Sequence, residues 1–353
     1  MKIAIDCRVV ESSGIGVYLR ECLPFFVSSG NELLLLGDEK VLQKYVPIKS
    51  PNVTIFQYTD NPFSIKELTR MPGKVRRAVN SCGAYYSPYF NIPSGVRIPV
   101  YTTIHDVLFP DMPELTSKIG LILRMFFYRR AVRRSKCIFT VSEFSRSRIQ
   151  HYFGTKKPVL VTYNGISNYL LAPGSGKPRK YLLFIGNIKK QKGLSVLTAA
   201  FAAARQEGLG MDLVIVGSAE NFRTKDTEIT ASPRKDAFQG VSFTGHVSDD
   251  ELLTYLRDAA LLVQPSLYEG FGIPPLEAMS QGTPALVSDI PVFKEIYRGF
   301  PVSYFEAGNV LSLKEQLLLL CGNGIPPRVA LTQKQRDTYT YQKTAGIILG
   351  EIT

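Results

Sequence analysis

Short apolar runs alternate along this chain with stretches whose hydrophobic positions recur at helical spacing. Lys2–Asp6 has the character of a strand, Val17–Val27 has the three-to-four-residue period of a helix, and Glu32–Leu36 is strand-like again. Val100–Ile104, Cys137–Val141 and Pro158–Tyr163 read as further strands, and Ser142 stands where it would cap a helix running to about Tyr152. The second half is more regular. Tyr181–Ile185, Asp212–Val216, Val241–Thr244, Leu261–Gln264 and Ala285–Ser288 read as strands. Between them Gly193–Glu207, Asp249–Asp258 and Pro274–Gln281 read as helices. This alternation predicts an α/β protein with a parallel, doubly wound, Rossmann-like sheet in each half. A Pro-, Gly-, Ser- and Lys-rich stretch at Ala172–Lys180 reads as the linker, giving domains 1–172 and 173–330. Leu331–Leu349, within the remaining 331–353, reads as a final helix.

Length agrees with two domains, since 353 residues exceed the usual size of one core, and a hydrophobic share of 45% is enough to fill two. The N-terminus runs straight into a strand, and no apolar run reaches the length that crosses a bilayer. Cys7, Cys22, Cys82, Cys137 and Cys321 are scattered, without a C-x-x-C pair, so neither a disulfide framework nor a zinc site is expected. A cytoplasmic protein is the resulting expectation. Charge changes the picture. Of the net +12, residues 1–175 hold 23 Lys and Arg against 12 Asp and Glu, while the rest is nearly balanced. An anionic partner for the first half follows.

The densest chemistry lies at Tyr268–Met279, YEGFGIPPLEAM. Gly270 and Gly272 allow a ligand close to the backbone, and Pro274 and Pro275 fit the first turn of a helix. A helix start there is a seat for phosphate, with Glu269 on the preceding loop and Glu277 a turn inside. Hydroxyl acceptors would thus flank phosphate donors, an arrangement suited to a nucleotide-sugar. Gly186–Leu194, GNIKKQKGL, is a basic loop between strand and helix, placed to neutralise a leaving diphosphate. Gly14-Ile15-Gly16 follows the first strand, and His105-Asp106 ends another. Ser117–Lys136 interleaves Lys118, Arg124, Arg129, Arg130, Arg133 and Arg134 with Leu121, Leu123, Phe126, Phe127 and Val132. Such a helix either lies on an anionic membrane or packs on the sheet with a solvated basic face. Arg70, Lys74, Arg76 and Arg77 add to the same charge. No Asp-x-Asp stands at a strand end and no His/Cys cluster occurs, so no metal is expected; a Walker loop and a nucleic-acid reader motif are both absent.

With these motifs the chain resembles the retaining glycosyltransferases of the GT-B fold, family 4, whose E-x7-E signature has the form of Glu269–Glu277. The resemblance implies two Rossmann-like domains facing across a cleft, with the last segment crossing back to the first. It implies a donor site made by Lys192, Glu269, Gly270, Phe271, Gly272 and Glu277, with Gly16, Gly217 and Val247 also facing the donor. His105 would lie near the transferred sugar, positioning and polarising it, and Asn164-Gly165-Ile166 would be hinge architecture. Asn187 and Gln191 depart from the family's basic positions, so of that set only Lys192 matches, and whether Lys189 or Lys190 replaces the missing arginine stays open. The stretch His105–Glu114 and the GN-x-x-x-x-K loop look most like bacterial polysaccharide mannosyl- and rhamnosyltransferases of the O-antigen or capsule type. The expected reaction moves a hexose from a nucleotide diphosphate sugar, needing no further cofactor, to a glycan or lipid-linked oligosaccharide. The expected place is the cytoplasm, peripheral on the inner membrane face. A sugar-nucleotide epimerase or phosphorylase on the same plan, and a non-catalytic nucleotide-sugar-binding protein, stay open as alternatives.

Overall fold

Lys2–Asp6 forms β1, and Ile3, Ala4 and Ile5 are wholly buried, as a strand covered on both faces requires. The computed structural model describes residues 1–12, 14–46, 50–62, 64, 69, 71–170, 179–217 and 239–353. The chain divides into two units, Met1–Gly165 with Tyr339–Thr353, and Ile166–Thr338. The first unit therefore ends before the 172 read from the sequence, and residues 331–338 belong with the second. Arg70 and most of the linker stretch, 171–178, lie outside the described residues.

Among the described residues the first unit holds a seven-stranded sheet. Its strands are β1, β2 (Glu32–Gly37), β3 (Val53–Gln57), β4 (Ala84–Ser87), β5 (Val100–Thr103), β6 (Ser135–Thr140) and β7 (Val159–Val161). Their order is β3-β2-β1-β4-β5-β6-β7, every pairing is parallel, and the order reverses between β1 and β4. The sequence reading lacked β3 and β4. The first is a half-buried edge strand, and the second is four residues, AYYS, without an apolar run to announce it. Ser142 does cap the helix Glu143–Phe153, its Oγ accepting from the Ser145 amide at 3.0 Å.

The first helix is longer than the periodicity indicates, running Gly14–Val27, so Gly14 and Gly16 are helical residues and not a free loop. A Cβ on Gly16 would meet the carbonyl oxygens of Val10 and Val9 at 2.6 and 2.9 Å, which is why glycine stands there. The final helix, Tyr341–Ile352, is packed in this unit: Tyr341, Ala345, Ile348 and Ile352 are buried, and Thr344 Oγ1 donates to the Tyr163 carbonyl. Its Tyr341 ring meets the Tyr18 ring edge-on at 6.3 Å. The tail that reads as one helix is two among the described residues, since Gln333–Thr338 is separate and falls in the second unit.

The second unit holds a six-stranded sheet among the described residues, in the order β10-β9-β8-β11-β12-β13. The strands are β8 (Tyr181–Ile185), β9 (Asp212–Val216), β10 (Val241–Gly245), β11 (Leu261–Gln264), β12 (Ala285–Ser288) and β13 (Val302–Phe305), all parallel. Here the reversal falls between β8 and β11. Leu182, Leu183, Leu213, Ile215, Leu262 and Val263 are fully buried, making the sheet a continuous apolar layer. Helices Leu194–Gln206, Asp249–Asp258 and Ile273–Ser280 follow β8, β10 and β11. Ser248 closes a reciprocal capping box with Glu251 at the start of the second of these, satisfying donors that a helix start otherwise leaves open. The sequence reading stopped at Ala285–Ser288 and so lacked the edge strand β13 and the helix Val310–Cys321.

Candidate functional site

In doubly wound sheets a ligand crevice opens at the carboxyl ends of the two strands between which the order reverses. In the second unit those strands are β8 and β11, and the two motif-bearing loops follow them directly. The loops are joined through backbone: the Gln191 carbonyl accepts from the Leu267 amide at 2.8 Å. Gly193 has φ +67°, and a Cβ there would run into the Pro265 carbonyl, so only glycine permits this approach. The basic loop turns back as a short 3₁₀ segment, Lys190–Lys192, leaving Lys189 and Lys190 exposed and Gln191 buried.

Lys192 Nζ and Glu269 Oε1 consequently meet at 2.6 Å, with the carboxylate buried and the lysine partly exposed. Ser266 Oγ donates to the same Glu269 oxygen at 2.7 Å, and Gln264 Nε2 donates to Ser266 Oγ at 3.0 Å. The buried chain Gln264–Ser266–Glu269 fixes the direction of the carboxylate. Sequence reasoning passed over Ser266 and Gln264. The available signal was Ser266 three residues before Glu269, the spacing of a tight turn.

Helix Ile273–Ser280 begins at Gly272, whose φ of +84° and closeness to the Phe293 ring exclude a side chain. Tyr297 Oη donates to the Gly272 carbonyl and holds that cap. Pro274 and Pro275 occupy the first turn and carry no N–H. This tip therefore offers fewer amide donors than an ordinary helix start, Gly272 and Ile273 being the residues just before the prolines. Phe271 is buried. Glu277 is buried one turn on and accepts from Ser167 Oγ at 3.2 Å. Ser167 is a further residue that the sequence reading missed. Gly217 and Gly245, at the ends of β9 and β10, form a backbone bridge, and half-buried Val247 precedes the Ser248 cap.

The first unit has its own reversal at β1 and β4. At the end of β1, Arg8 and Asp6 form a buried ion pair, Nη2 to Oδ2 at 2.5 Å. Tyr85 and Tyr89 Oη donate to that Asp6 oxygen at 2.8 and 3.0 Å, and Arg8 Nη1 donates to the Asp60 carbonyl at 3.0 Å. Burial alone would raise the Asp6 carboxyl. The Arg8 charge and these donors outweigh it and hold the group below its ordinary value. This network too had no sequence signal beyond D-x-R.

His105 follows β5, with its ring edge-on to Tyr18 at 4.8 Å. Its Nε2 lies 2.9 Å from the Pro88 carbonyl. A carbonyl can only accept, so Nε2 carries the proton and Nδ1 keeps the lone pair. One edge reaches solvent, but burial pushes its pKa down to about 4 against the slight opposing effect of the Pro88 bond. His105 is thus a neutral imidazole near pH 7. Asp106 Oδ1 accepts from the Leu108 amide at 3.0 Å and shapes the loop.

The six cations of the basic helix separate into two sets. Arg124 lies over the Phe109 ring at 3.9 Å and donates to Thr116 Oγ1, Arg130 donates to the Ile92 carbonyl, and Arg134 donates to the Val96 carbonyl. Those three guanidinium groups bond the protein's own atoms, Arg124 and Arg130 being half-buried and Arg134 remaining exposed. Lys118, Arg129 and Arg133 are exposed, as are Lys74, Arg76 and Arg77 of helix Gly73–Asn80. Among the described residues no group of three or more His, Cys, Asp or Glu could hold a metal ion, and no helix is long and apolar enough to cross a membrane.

Two family models match this chain, one described as glycosyl transferases group 1 over residues 172–336 and one as glycosyltransferase family 4 over residues 12–168. Among curated proteins, the O-antigen chain mannosyltransferase RfbU of Salmonella typhimurium is 30% identical over 210 residues, or 55% of this chain and 53% of that protein. O-antigen chain mannosyltransferase B of Escherichia coli is 28% identical over 225 residues, covering 60% and 58%. The chain thus spans a little over half the length of these relatives. In fold, it is similar to a sucrose-phosphate synthase from Thermosynechococcus elongatus, at TM-score 0.75 and 15% identity over 100% of this chain and 98% of that one. It is also similar to Anabaena HepE in complex with UDP and glucose, at TM-score 0.68 and 16% identity over 99% and 95%. With the two family models between them taking in most of the sequence, and with two parallel Rossmann-like sheets, the chain belongs to the family 4-like glycosyltransferases of the GT-B fold.

Proposed function

We propose that the protein is a hexosyltransferase that moves mannose, or a related hexose such as rhamnose, from a nucleotide diphosphate sugar to a growing surface polysaccharide. One observation carries the reading: an ammonium and a carboxylate, Lys192 and Glu269, stand 2.6 Å apart at the β8/β11 reversal beside a glycine-lined helix start. A diphosphate entering there competes for Lys192, and the amides of Gly272 and Ile273 at the helix start add donors to the same charge. Glu269, kept in direction by Ser266, then turns its acceptor capacity to sugar hydroxyls. Glu277 takes the ribose hydroxyls.

As the glycosidic bond breaks, negative charge grows on the leaving diphosphate, and a fixed cation there lowers the barrier more than it lowers the ground state. Lys192 supplies that charge without a metal. In this reading the anomeric configuration is retained, and the leaving phosphate draws the acceptor proton on the same face. His105, neutral and with Nδ1 open as an acceptor, is suited to take a hydrogen bond from a sugar hydroxyl. Gly217 and Val247 contribute backbone to the donor site. The acceptor is a growing glycan chain, taken here to be lipid-linked; that two relatives act as O-antigen chain mannosyltransferases supports the glycan-chain part of this reading.

Incubation with GDP-mannose, UDP-glucose and dTDP-rhamnose plus lipid-linked oligosaccharide tests this. A product one hexose heavier, with the donor's anomeric configuration by NMR, is the expected result. Interconversion of free donor with no transfer would replace this function by an epimerase.

A further inference from the structure

The helix Lys118–Arg134 buries Phe127, Tyr128, Ala131 and Val132 but leaves large apolar side chains in water along its first half. Ile119 is 80% exposed, Ile122 70%, and Leu123 and Phe126 51% each. Their spacing is i, i+3, i+4 and i+7. At about 100° per residue they fall within an arc of about 100°, one stripe on one face. Isolated exposed apolar residues are ordinary, but four neighbouring on one helix face mark a surface that something covers.

Charge selects the cover. Lys118 stands at the start of the stripe, Arg129 and Arg133 continue the exposed face beyond it, and the helix contains no acidic residue. Residues 1–175 carry 23 Lys and Arg against 12 Asp and Glu. The exposed face therefore changes from apolar to cationic along its length. A bilayer matches both features, acyl chains receiving the stripe and anionic headgroups receiving the flanking cations.

We propose that Ile119, Ile122, Leu123 and Phe126, with Lys118, Arg129 and Arg133, form a docking surface for an anionic phospholipid bilayer. Arg124, Arg130 and Arg134 take no part, because their guanidinium groups are engaged by the protein's own atoms. Bilayer binding needs no nucleotide, so it stands or fails independently of the donor site.

The test is co-sedimentation of the full chain with vesicles of phosphatidylcholine alone and of phosphatidylcholine mixed with phosphatidylglycerol. Binding is expected to the mixed vesicles, weakening with added salt. The pair Ile122→Glu and Phe126→Glu should reduce it at least about tenfold, and so should the pair Arg129→Glu and Arg133→Glu. All four positions are exposed, so unchanged circular dichroism and thermal midpoint are expected of both variants. Equal binding to both vesicle types, or variants that bind as well as the parent, would overturn the proposal. So would self-association of the free protein that the apolar pair abolishes, since a second copy would then be the cover.

Discussion

A single proton at His105 has consequences for both stability and activity. Its imidazole titrates near 6.5 in an unfolded chain and near 4 when folded. Between those values the unfolded chain takes up a proton that the folded one refuses. Stability is therefore full above about pH 6.5 and declines as the pH falls toward 4. The loss reaches at most about 3 kcal/mol, an upper bound because one edge of the ring meets solvent. Urea unfolding followed from neutral to mildly acidic pH should show this decline in the parent and a shallower one in His105→Gln. Identical slopes would mean that His105 is not held neutral. The same neutrality predicts that an acid limb in kcat/KM near pH 6 comes from another group, and that limb should survive in His105→Gln.

At the scale of elements, the approach of two loops sets the site. Lys192 reaches Glu269 because Gly193 turns with φ +67° against the Pro265 carbonyl, bringing the loop after β8 onto the loop after β11. Gly193→Ala adds a side chain to a left-handed residue and a clash with backbone. It should cost about 3 kcal/mol or more, as a lower urea midpoint with unchanged slope, and reduce donor binding with it. A variant as stable as the parent would show that this approach is not required. Much of the site was legible beforehand, since Glu269, Glu277 and Lys192 stand in motifs whose glycines and prolines announce a loop and a helix start. Their partners were not. Ser167 reaches Glu277 from 110 positions away, and the Gln264–Ser266 chain depends on side-chain directions that no spacing encodes. Gly16 was misread as loop because nothing in Gly-x-Gly says whether the helix has already begun.

Over the whole molecule the alternation of apolar runs sufficed for two parallel α/β units, and central strands such as β8, β9 and β11 were legible because burial on both faces leaves unbroken apolar runs. Edge strands β3 and β13, half-polar, were not. Both sheets reverse order once, and the second brings its reversal to the residues that the donor would need. Titration calorimetry of GDP-mannose and UDP-glucose against the parent and Lys192→Ala tests this centrally. The parent should bind one of these donors, and the variant, folded by circular dichroism though less stable for the loss of Glu269's partner, should lose about tenfold to a hundredfold in affinity, the scale of one charge-assisted hydrogen bond. Equal affinity in parent and variant would contradict the assignment of Lys192 and the β8/β11 crevice to the donor diphosphate.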